Sequence, residues 1–333
     1  MKQTRREFVR TLFIASEAAV ASRFLPVNLL AESISPDALN FVVIGDWGRR
    51  GEPDQQDVAD QMGKTAHDIG ARFVISVGDN FYEDGVASVQ DVQWNESFED
   101  VYTASSLQVP WYAILGNHDY HWNCDAQIAY SKKSLRWRMP ARYYQQSHSL
   151  DKNITADFFY IDTTPMVKIY YNPFFEESTR DQVITQKVPE QLAWLKTALE
   201  ASNAQWKIVI GHHPIYSGGE HGDTSELIEH ILPLLKEFGV QAYFNGHDHD
   251  MQHLMAGDIN LFISGGGSQM RPTRQTTHTR FAKSSSGFMA VSLGPQAMDV
   301  RMIDSEGALL YTARVLRNGV NPVPSPAGAA HAG

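Results

Sequence analysis

The sequence is almost without cysteine: Cys124 is the single one among 333 residues. One cysteine cannot form an internal disulfide, so stability must come from a buried core, which a chain of this length can form. The sequence also lacks the long apolar runs of a multi-span membrane protein. A composition of 43% hydrophobic and 20% charged residues excludes a disordered chain or a collagen-like repeat and is typical of a soluble globular protein.

Basic residues are also in deficit, since 28 Lys and Arg face 38 Asp and Glu, which gives a net charge of −10. A diffuse negative charge repels nucleic acid and anionic lipid, and no basic patch is visible outside the N-terminus. We therefore expect no nucleic-acid partner. The unusual feature of the composition is its 13 histidines.

Residues 1–35 resemble a twin-arginine export signal. Arg5 and Arg6 precede an aromatic and an aliphatic residue, and a moderately apolar stretch, 11–30, follows. This resemblance predicts export of the folded protein by the Tat machinery to a periplasmic or secreted location. Two charged residues interrupt the apolar stretch, so we do not expect stable membrane insertion. The alternative is a basic amphipathic helix on the protein surface.

From residue 38 to residue 316 the chain alternates apolar runs with helix-like stretches, which predicts a single α/β domain. We expect a disordered tail over 317–333, which is rich in Pro, Ala and Gly. Strands are predicted at 41–44, 73–77, 111–115, 158–161, 207–210, 242–244, 261–263 and 288–293, and a closing hairpin at 298–312. Helices are predicted at 55–69, 189–201 and 225–238.

Five of the predicted strands are followed by side chains that bind metals. These segments are 45–48, 78–82, 116–119, 209–212 and 246–249. Any one of them alone is weak support, because a Gly-Asp turn after a strand is usually only a turn. Together, carboxylate, carboxamide and imidazole groups at the carboxyl ends of several strands indicate a pocket for two cations.

These motifs resemble those of the purple acid phosphatases, within the calcineurin-like metallophosphoesterases, and above all the small mammalian-type, tartrate-resistant subfamily. The resemblance covers about 40–315 and extends beyond the metal-binding segments to 126–132, 136–137, 194–196 and 220–222. It implies an α/β sandwich of two mixed β-sheets flanked by helices, with the active site at the carboxyl ends of the strands.

The resemblance also implies the ligands of a binuclear metal centre. The first metal would be bound by Asp46, Tyr82 and His249, the second by Asn117, His212 and His247, with Asp79 bridging the two. A phenolate is a hard, anionic ligand, so the family implies Fe(III) at the first site. The second site suits Fe(II), Zn or Mn.

The implied activity is an acid phosphatase, which hydrolyses small phosphate monoesters by direct attack of a metal-bound hydroxide. His118 and His221 match the substrate-pocket histidines of the family, and they would hold a phosphate oxygen and help to protonate the leaving alkoxide. His221 lies in the looser sequence context and is the less specific of the two matches.

Two other functions are compatible with the same residues. A phosphodiesterase or nucleotidase would use divalent Zn or Mn in both sites, and Tyr82 argues against it. A catalytically inactive binding module would be expected to lose at least one of Asp79, Asn117 or His118, which are all present.

Some positions depart from the family pattern. Arg49 stands where a second glycine often follows Asp-Trp-Gly, and Tyr120 replaces a histidine, so both could alter the rim of the pocket. His213 is expected to line the pocket rather than to bind metal. The segment 168–187 is expected to form a lid or an aromatic wall over the active site.

Overall fold

The structure is a computed structural model that describes residues 38–174 and 176–317. The expected export signal at 1–35 and all but the first residue of the expected tail at 317–333 lie outside the described residues, so both stay predictions. Within the described ranges, we find no helix that is both long enough and apolar enough to cross a bilayer.

Strands account for most of the regular structure of the described residues. In chain order they are β1 (Leu39–Ile44), β2 (Phe73–Ser76), β3 (Trp111–Ala113), β4 (Trp137–Arg138), β5 (Tyr144–Ser149), β6 (Thr155–Tyr160), β7 (Trp206–Ile210), β8 (Ala242–Asn245), β9 (Met251–Ala256), β10 (Ile259–Ser264), β11 (Thr279–Lys283), β12 (Gly287–Leu293), β13 (Ala297–Asp304) and β14 (Leu309–Leu316). The α-helices are α1 (Gln55–Ile69), α2 (Cys124–Tyr130), α3 (Glu177–Val183), α4 (Val188–Ala201), α5 (Ser225–His230) and α6 (Leu232–Glu237).

The strands form two seven-stranded sheets, in the orders β14-β13-β12-β1-β2-β3-β4 and β11-β9-β10-β8-β7-β6-β5. In the first sheet β1 to β4 are parallel and β12 to β14 pair antiparallel. In the second, β6, β7, β8 and β10 are parallel, while β5, β9 and β11 are antiparallel to their neighbours. Both sheets are therefore mixed, and the predicted fold class is confirmed.

The main core lies between the two sheets. Phe41 of β1 packs edge to face against Phe158 of β6, with ring centroids 5.6 Å apart, and stacks on Phe73 of β2 at 4.9 Å. Along β6 the side chains alternate, so that Phe158 and Tyr160 enter this core while Phe159 faces the helices. The second sheet is thus apolar on both faces, as a sheet covered by helices requires.

Helices α4, α5 and α6 cover the outer face of the second sheet. Leu195 and Leu199 of α4, Leu227 of α5 and Leu235 of α6 are fully buried in a second apolar cluster. The predicted single helix over 225–238 was wrong, because the chain forms two short helices that meet at Ile231. Pro233 has no N–H with which to continue the hydrogen-bond ladder, and its ring disfavours an unbroken helix.

Candidate active site

The ligand residues predicted from the sequence lie in loops at the carboxyl ends of parallel strands. The first sheet contributes Asp46 after β1, Asp79 and Tyr82 after β2, and Asn117 after β3; the second contributes His212 after β7, and His247 and His249 after β8. Because these strands are parallel within each sheet, their carboxyl ends meet at one edge. Side chains far apart in sequence are therefore brought together.

Tyr82 is the centre of the first group of donor atoms. Its hydroxyl oxygen lies 3.1 Å from Asp46 Oδ1, 3.0 Å from Asp79 Oδ2 and 3.0 Å from His249 Nε2. All four side chains are buried. A phenol has one hydrogen and donates one hydrogen bond, so it cannot satisfy two carboxylate oxygens at once. Such a cluster of bases suits a cation better than a proton.

The second group of donor atoms forms around the other oxygen of Asp79. His212 Nε2 lies 3.5 Å from Asp79 Oδ1 and 3.2 Å from Asn117 Oδ1. His212 Nδ1 lies 2.9 Å from the Val77 carbonyl oxygen, which leaves Nε2 as the nitrogen that faces the other donors. One ring nitrogen of His247 completes a set with Asp79 and His212 in which the three ligand atoms lie within 4.8 Å of one another.

The two groups share Asp79, which directs Oδ2 to one and Oδ1 to the other. This is the arrangement of a bridging carboxylate between two cations. The donor set, which combines carboxylates, a phenol, a carboxamide and imidazoles, suits hard and borderline metal ions. The residues present therefore fit a binuclear metal centre.

Burial and mutual interaction shift the pKa values of these buried groups. Burial raises the pKa of Asp46 well above its usual value, and the nearby Asp79 adds to this effect. Burial also acts to raise the pKa of Asp79, but His212 and His118 more than offset it and bring the pKa well below its usual value. Burial acts to lower the pKa of His212, yet Asp79 and Asp46 raise it to about 9. Carboxylates buried this deeply are normally compensated by a metal or a cationic partner.

Three of the predicted ligand residues adopt a left-handed backbone conformation, with φ of 60° at Asp46, 49° at Asp79 and 72° at His247. Asp and His tolerate this region better than most residues, but each such position still costs roughly 1–2 kcal/mol. Strain of this kind persists where the surroundings hold the backbone, and it is concentrated at functional sites.

Asp119 ties two of the ligand loops together. Its carboxylate accepts the backbone N–H groups of Asn80 at 3.0 Å and Gly116 at 2.8 Å, and a side-chain N–H of Gln127 at 2.7 Å. Asp119 is therefore a residue that holds these turns in place. Asp248 acts similarly, because it accepts the backbone N–H of His221 at 2.9 Å.

The two predicted catalytic histidines lie beside the ligands. The backbone N–H of His118 donates to Asp79 Oδ1 at 2.9 Å, and its Nδ1 lies 2.5 Å from the Glu83 carbonyl oxygen. The ring of His221 stacks on that of His247, with centroids 4.1 Å apart. Burial lowers the pKa of His221, and Arg271 adds to this effect while Asp248 opposes it.

His213 does not line an open pocket, so that part of the sequence interpretation was wrong. It is 1% exposed, with Nδ1 2.8 Å from Thr163 Oγ1 and Nε2 2.7 Å from the Tyr170 hydroxyl. Both ring nitrogens are engaged by hydroxyl groups, and the ring packs behind His247 with centroids 4.3 Å apart. His213 therefore packs against the predicted ligand His247 and helps to hold its ring in place.

Sequence reasoning missed two residues near this site. His121 packs its ring 4.8 Å from that of His118, and its Nε2 lies 2.9 Å from Glu176 Oε2. Arg271 follows a glycine-rich loop, and its Nη1 lies 3.4 Å from His221 Nε2. No motif marks either position. The contacts of His121 with Glu176 and of Arg271 with His221 join segments that are distant in sequence.

Among the described residues of the segment 168–187, which exclude residue 175, the aromatic side chains do not form a common wall. Tyr170 is buried against His213, whereas Phe174 is 97% exposed. The side chain of Gln182 donates to the carbonyl oxygens of Tyr120 and Trp122 and so attaches α3 to the loop that carries His118. Whether this segment acts as a lid stays a prediction.

Comparison with known proteins places this chain in a family. The profile of the calcineurin-like phosphoesterases matches residues 39–251. Purple acid phosphatase 17 of Arabidopsis thaliana is 39% identical over 83% of this chain and 84% of its own length. Tartrate-resistant acid phosphatase type 5 of the rabbit, Oryctolagus cuniculus, is 36% identical over 86% of this chain and 93% of its own.

A solved structure supports the fold. GAP50, described as the anchor in the inner membrane complex of Plasmodium, superposes with a TM-score of 0.74 at 26% identity, over 84% of this chain and 89% of that one. The family profile and the two relatives lead to one conclusion. The chain belongs to the calcineurin-like phosphoesterases, and within them to the purple acid phosphatases.

Proposed function

We propose that the protein is an acid phosphatase that hydrolyses phosphate monoesters at a binuclear metal centre. The observation that carries this proposal is the shared position of Asp79, whose two oxygens face two separate groups of donor atoms. The relatives of similar length are purple and tartrate-resistant acid phosphatases, which supports the same activity.

The proposed ligands divide into two sets. Fe(III) would be bound by Asp46, Tyr82, His249 and Asp79, and Fe(II), Zn or Mn by Asp79, Asn117, His212 and His247. When bound, such a pair supplies Lewis acidity and an activated water that persists at acid pH. Tyr82 supports a trivalent first metal, because its oxygen stands among two carboxylates and an imidazole.

His118 and His221 are proposed to act on the substrate. The Nδ1 of His118 donates to the Glu83 carbonyl oxygen, so its Nε2 is the nitrogen that would meet the leaving oxygen and, when the ring is an imidazolium, would give it a proton. His221 is exposed beside Arg271, where it would hold a phosphate oxygen. We expect His118→Ala to lower kcat with little change in metal content.

The visible absorption spectrum tests the proposed first metal. Iron-loaded protein should show a phenolate-to-Fe(III) charge-transfer band, and Tyr82→Phe should abolish it. Tyr102→Phe is the matched control, because Tyr102 is also fully buried but its hydroxyl contacts Gln55. A colourless protein that holds two divalent metals and hydrolyses phosphate esters would instead favour the phosphodiesterase or nucleotidase reading.

Two further assays separate the remaining alternatives. The rates on nitrophenyl mono- and diesters distinguish a monoesterase from a diesterase, and we expect the monoester to be preferred. The similarity to GAP50, an anchor protein, makes a non-catalytic role the other candidate. Metal-loaded protein that turns over no phosphate ester would support that role.

We further propose that the protein is exported folded, with its metals, to the periplasm or the exterior. The support is the Arg5-Arg6 motif and the apolar stretch that follows it. Replacing both arginines by lysine should block export of active enzyme. Unchanged export of that variant would contradict the proposal.

A further inference from the structure

Arg49 lies against the face of the tyrosine in the candidate centre. The central carbon of its guanidinium group is 3.7 Å from the centroid of the Tyr82 ring. The side chain is only 15% exposed, and it forms an ion pair with Glu83. Its backbone is fixed as well, since the Arg49 N–H donates to Gln55 Oε1 at 2.9 Å.

The stacking on Tyr82 is not explained by a hydrogen-bonding requirement of the guanidinium. Among the described residues, the buried Nε of Arg49 has no hydrogen-bond partner. A guanidinium that leaves one donor unpaired while it covers a ring contributes mainly through its charge and its contact with the π-face. The observed geometry is therefore that of a cation–π pair on a candidate metal ligand.

The charges around Tyr82 determine how Arg49 affects the electron density of the Tyr82 ring. Asp46 and Asp79 face the phenol oxygen and oppose the formation of a phenolate. His249 contacts the same oxygen, and the centroid of the His118 ring lies 4.6 Å from that of the Tyr82 ring. Glu83 partly neutralises Arg49 from the solvent side, where it is 64% exposed. Arg49 is thus a permanent cation in contact with the Tyr82 ring, and its charge stabilises the electron density of that ring.

We propose that Arg49 is a positioning residue that holds the Tyr82 ring and weakens its donation to the metal. The inference rests on the proposed function, in which Tyr82 binds Fe(III). A cation over a phenolate lowers the energy of its π electrons, so more energy is needed to transfer an electron from the ring to the metal. The same stabilisation makes the phenolate a poorer donor, which favours the reduced form of the metal.

The test compares iron-loaded variants by visible spectroscopy and by a potentiometric titration of the first metal. Arg49→Met should move the charge-transfer band to longer wavelength and lower the midpoint potential. Arg49→Lys keeps the charge, so its band should lie between those of Arg49→Met and the wild type. The matched control is Arg50→Met, which removes an adjacent arginine that pairs with Glu96 at 3.0 Å. That control should leave both quantities unchanged.

Glu83→Gln provides an independent test if Arg49→Met does not fold or take up metal. It removes the counter-charge of Arg49 at an exposed side chain, so the band should move to shorter wavelength. A shift to longer wavelength, or none, would overturn the proposal. An unshifted band in Arg49→Met, or a band in Arg49→Lys identical to that of Arg49→Met, would do the same.

These outcomes separate the two proposals. If the wild-type protein has no charge-transfer band when it is loaded with iron, the assignment of Tyr82 as an Fe(III) ligand fails, and this inference fails with it. If the wild-type band is present but does not respond to Arg49, the assignment of the metal stands and only the role of Arg49 is wrong.

Discussion

At the scale of single residues, Asp79 occupies a position that leaves its neighbours little room. A Cβ atom added at Gly116 would lie 2.2 Å from Asp79 Oδ1 and 2.3 Å from its backbone nitrogen. Contacts under 3.0 Å with backbone cannot be relieved by a rotamer change. The close approach of Gly116 therefore sets the position of the carboxylate that both donor groups share.

We predict that Gly116→Ala lowers metal content to below half and activity at least tenfold, because the new methyl group displaces Asp79. Metal analysis and steady-state kinetics check this. Gly294→Ala is the control, since its added Cβ would meet its nearest atom, the Ala297 carbonyl oxygen, at 3.4 Å. Equal loss in both variants would show that the effect is one of general stability.

Asp162 gives a prediction about pH. Burial raises its pKa to about 6, although Arg142 and Tyr120 oppose the shift. The folded protein therefore holds this proton more tightly than the unfolded chain, so stability falls as the pH rises from about 4 to about 6. Asp162→Asn removes this dependence. As the pH rises from about 4 to about 6, the free energy of unfolding of the wild type should therefore fall by on the order of 3 kcal/mol relative to that of the variant.

Urea unfolding of both proteins at about pH 4, 5, 6 and 7, with the same metal content, measures this difference. Parallel curves for the wild type and Asp162→Asn would contradict the raised pKa. Since Asp162 is 1% exposed, solvent screening does not weaken the expectation.

The types of ligand could be predicted from the sequence because they lie in short loops that follow apolar strands. A residue's place after such a strand also indicates its position at the edge of the sheet. The contacts of Arg49 with Tyr82 and of His121 with His118 were not readable. The contact of Arg49 with Tyr82 joins the loops after β1 and β2, whose relative placement is set by the packing of the sheet, which local sequence does not encode. The contact of His121 with His118 is local, but it depends on ring orientations that the sequence pattern does not specify.

At the scale of elements, the segment 168–187 is attached rather than loose. Glu176 contacts His121, and Gln182 donates to two carbonyl groups of the loop that follows His118. Because His121 packs on His118, movement of this segment should shift the ring of His118, the proposed catalytic histidine.

We predict that the double variant Glu176→Ala with Gln182→Ala changes KM or kcat for small monoesters several-fold and speeds proteolysis within the segment. Both results follow from the loss of its contacts with the loop of His118. The control is Glu177→Ala, since this exposed carboxylate contacts Arg180 within the same segment at 3.6 Å. Kinetic constants that match the wild type would identify the segment as a spacer.

Elements with strong apolar periodicity were predicted well, and α1 matched over 55–69. Strand β5 was missed because its sequence, YQQSHS, has no apolar run. Within the described part of the chain, β5 is an edge strand that pairs only with β6, so its conformation depends on that pairing rather than on its own sequence. The short helices α2 and α3 were missed for a related reason, since neither is long enough to show a period.

At the scale of the whole molecule, the residues of the candidate metal centre come from both sheets. Asp46, Asp79 and Asn117 come from loops of the first sheet, while His212 and His247 come from the second. Bound cations would therefore cross-link both halves and neutralise carboxylates that otherwise repel each other in a buried site.

We predict that removal of the metals by a chelator lowers Tm by several degrees, and that added metal restores it. Differential scanning calorimetry of the same sample before and after chelation measures the change. Asp79→Asn should have a low Tm from the start and respond little to chelator. An unchanged wild-type Tm would mean that the centre forms without stabilising the fold.

The position of β1 also has a consequence for how the chain folds. β1 is the first strand of the described chain, yet it lies between β2 and β12, so one of its two neighbours begins at Gly287. A chain emerging from the ribosome must keep one hydrogen-bonding edge of this largely apolar strand unpaired until the residues from Gly287 onward have been made. The family profile ends at residue 251, before β12 to β14. A fragment cut at that boundary would expose β1 as a hydrophobic edge and should aggregate.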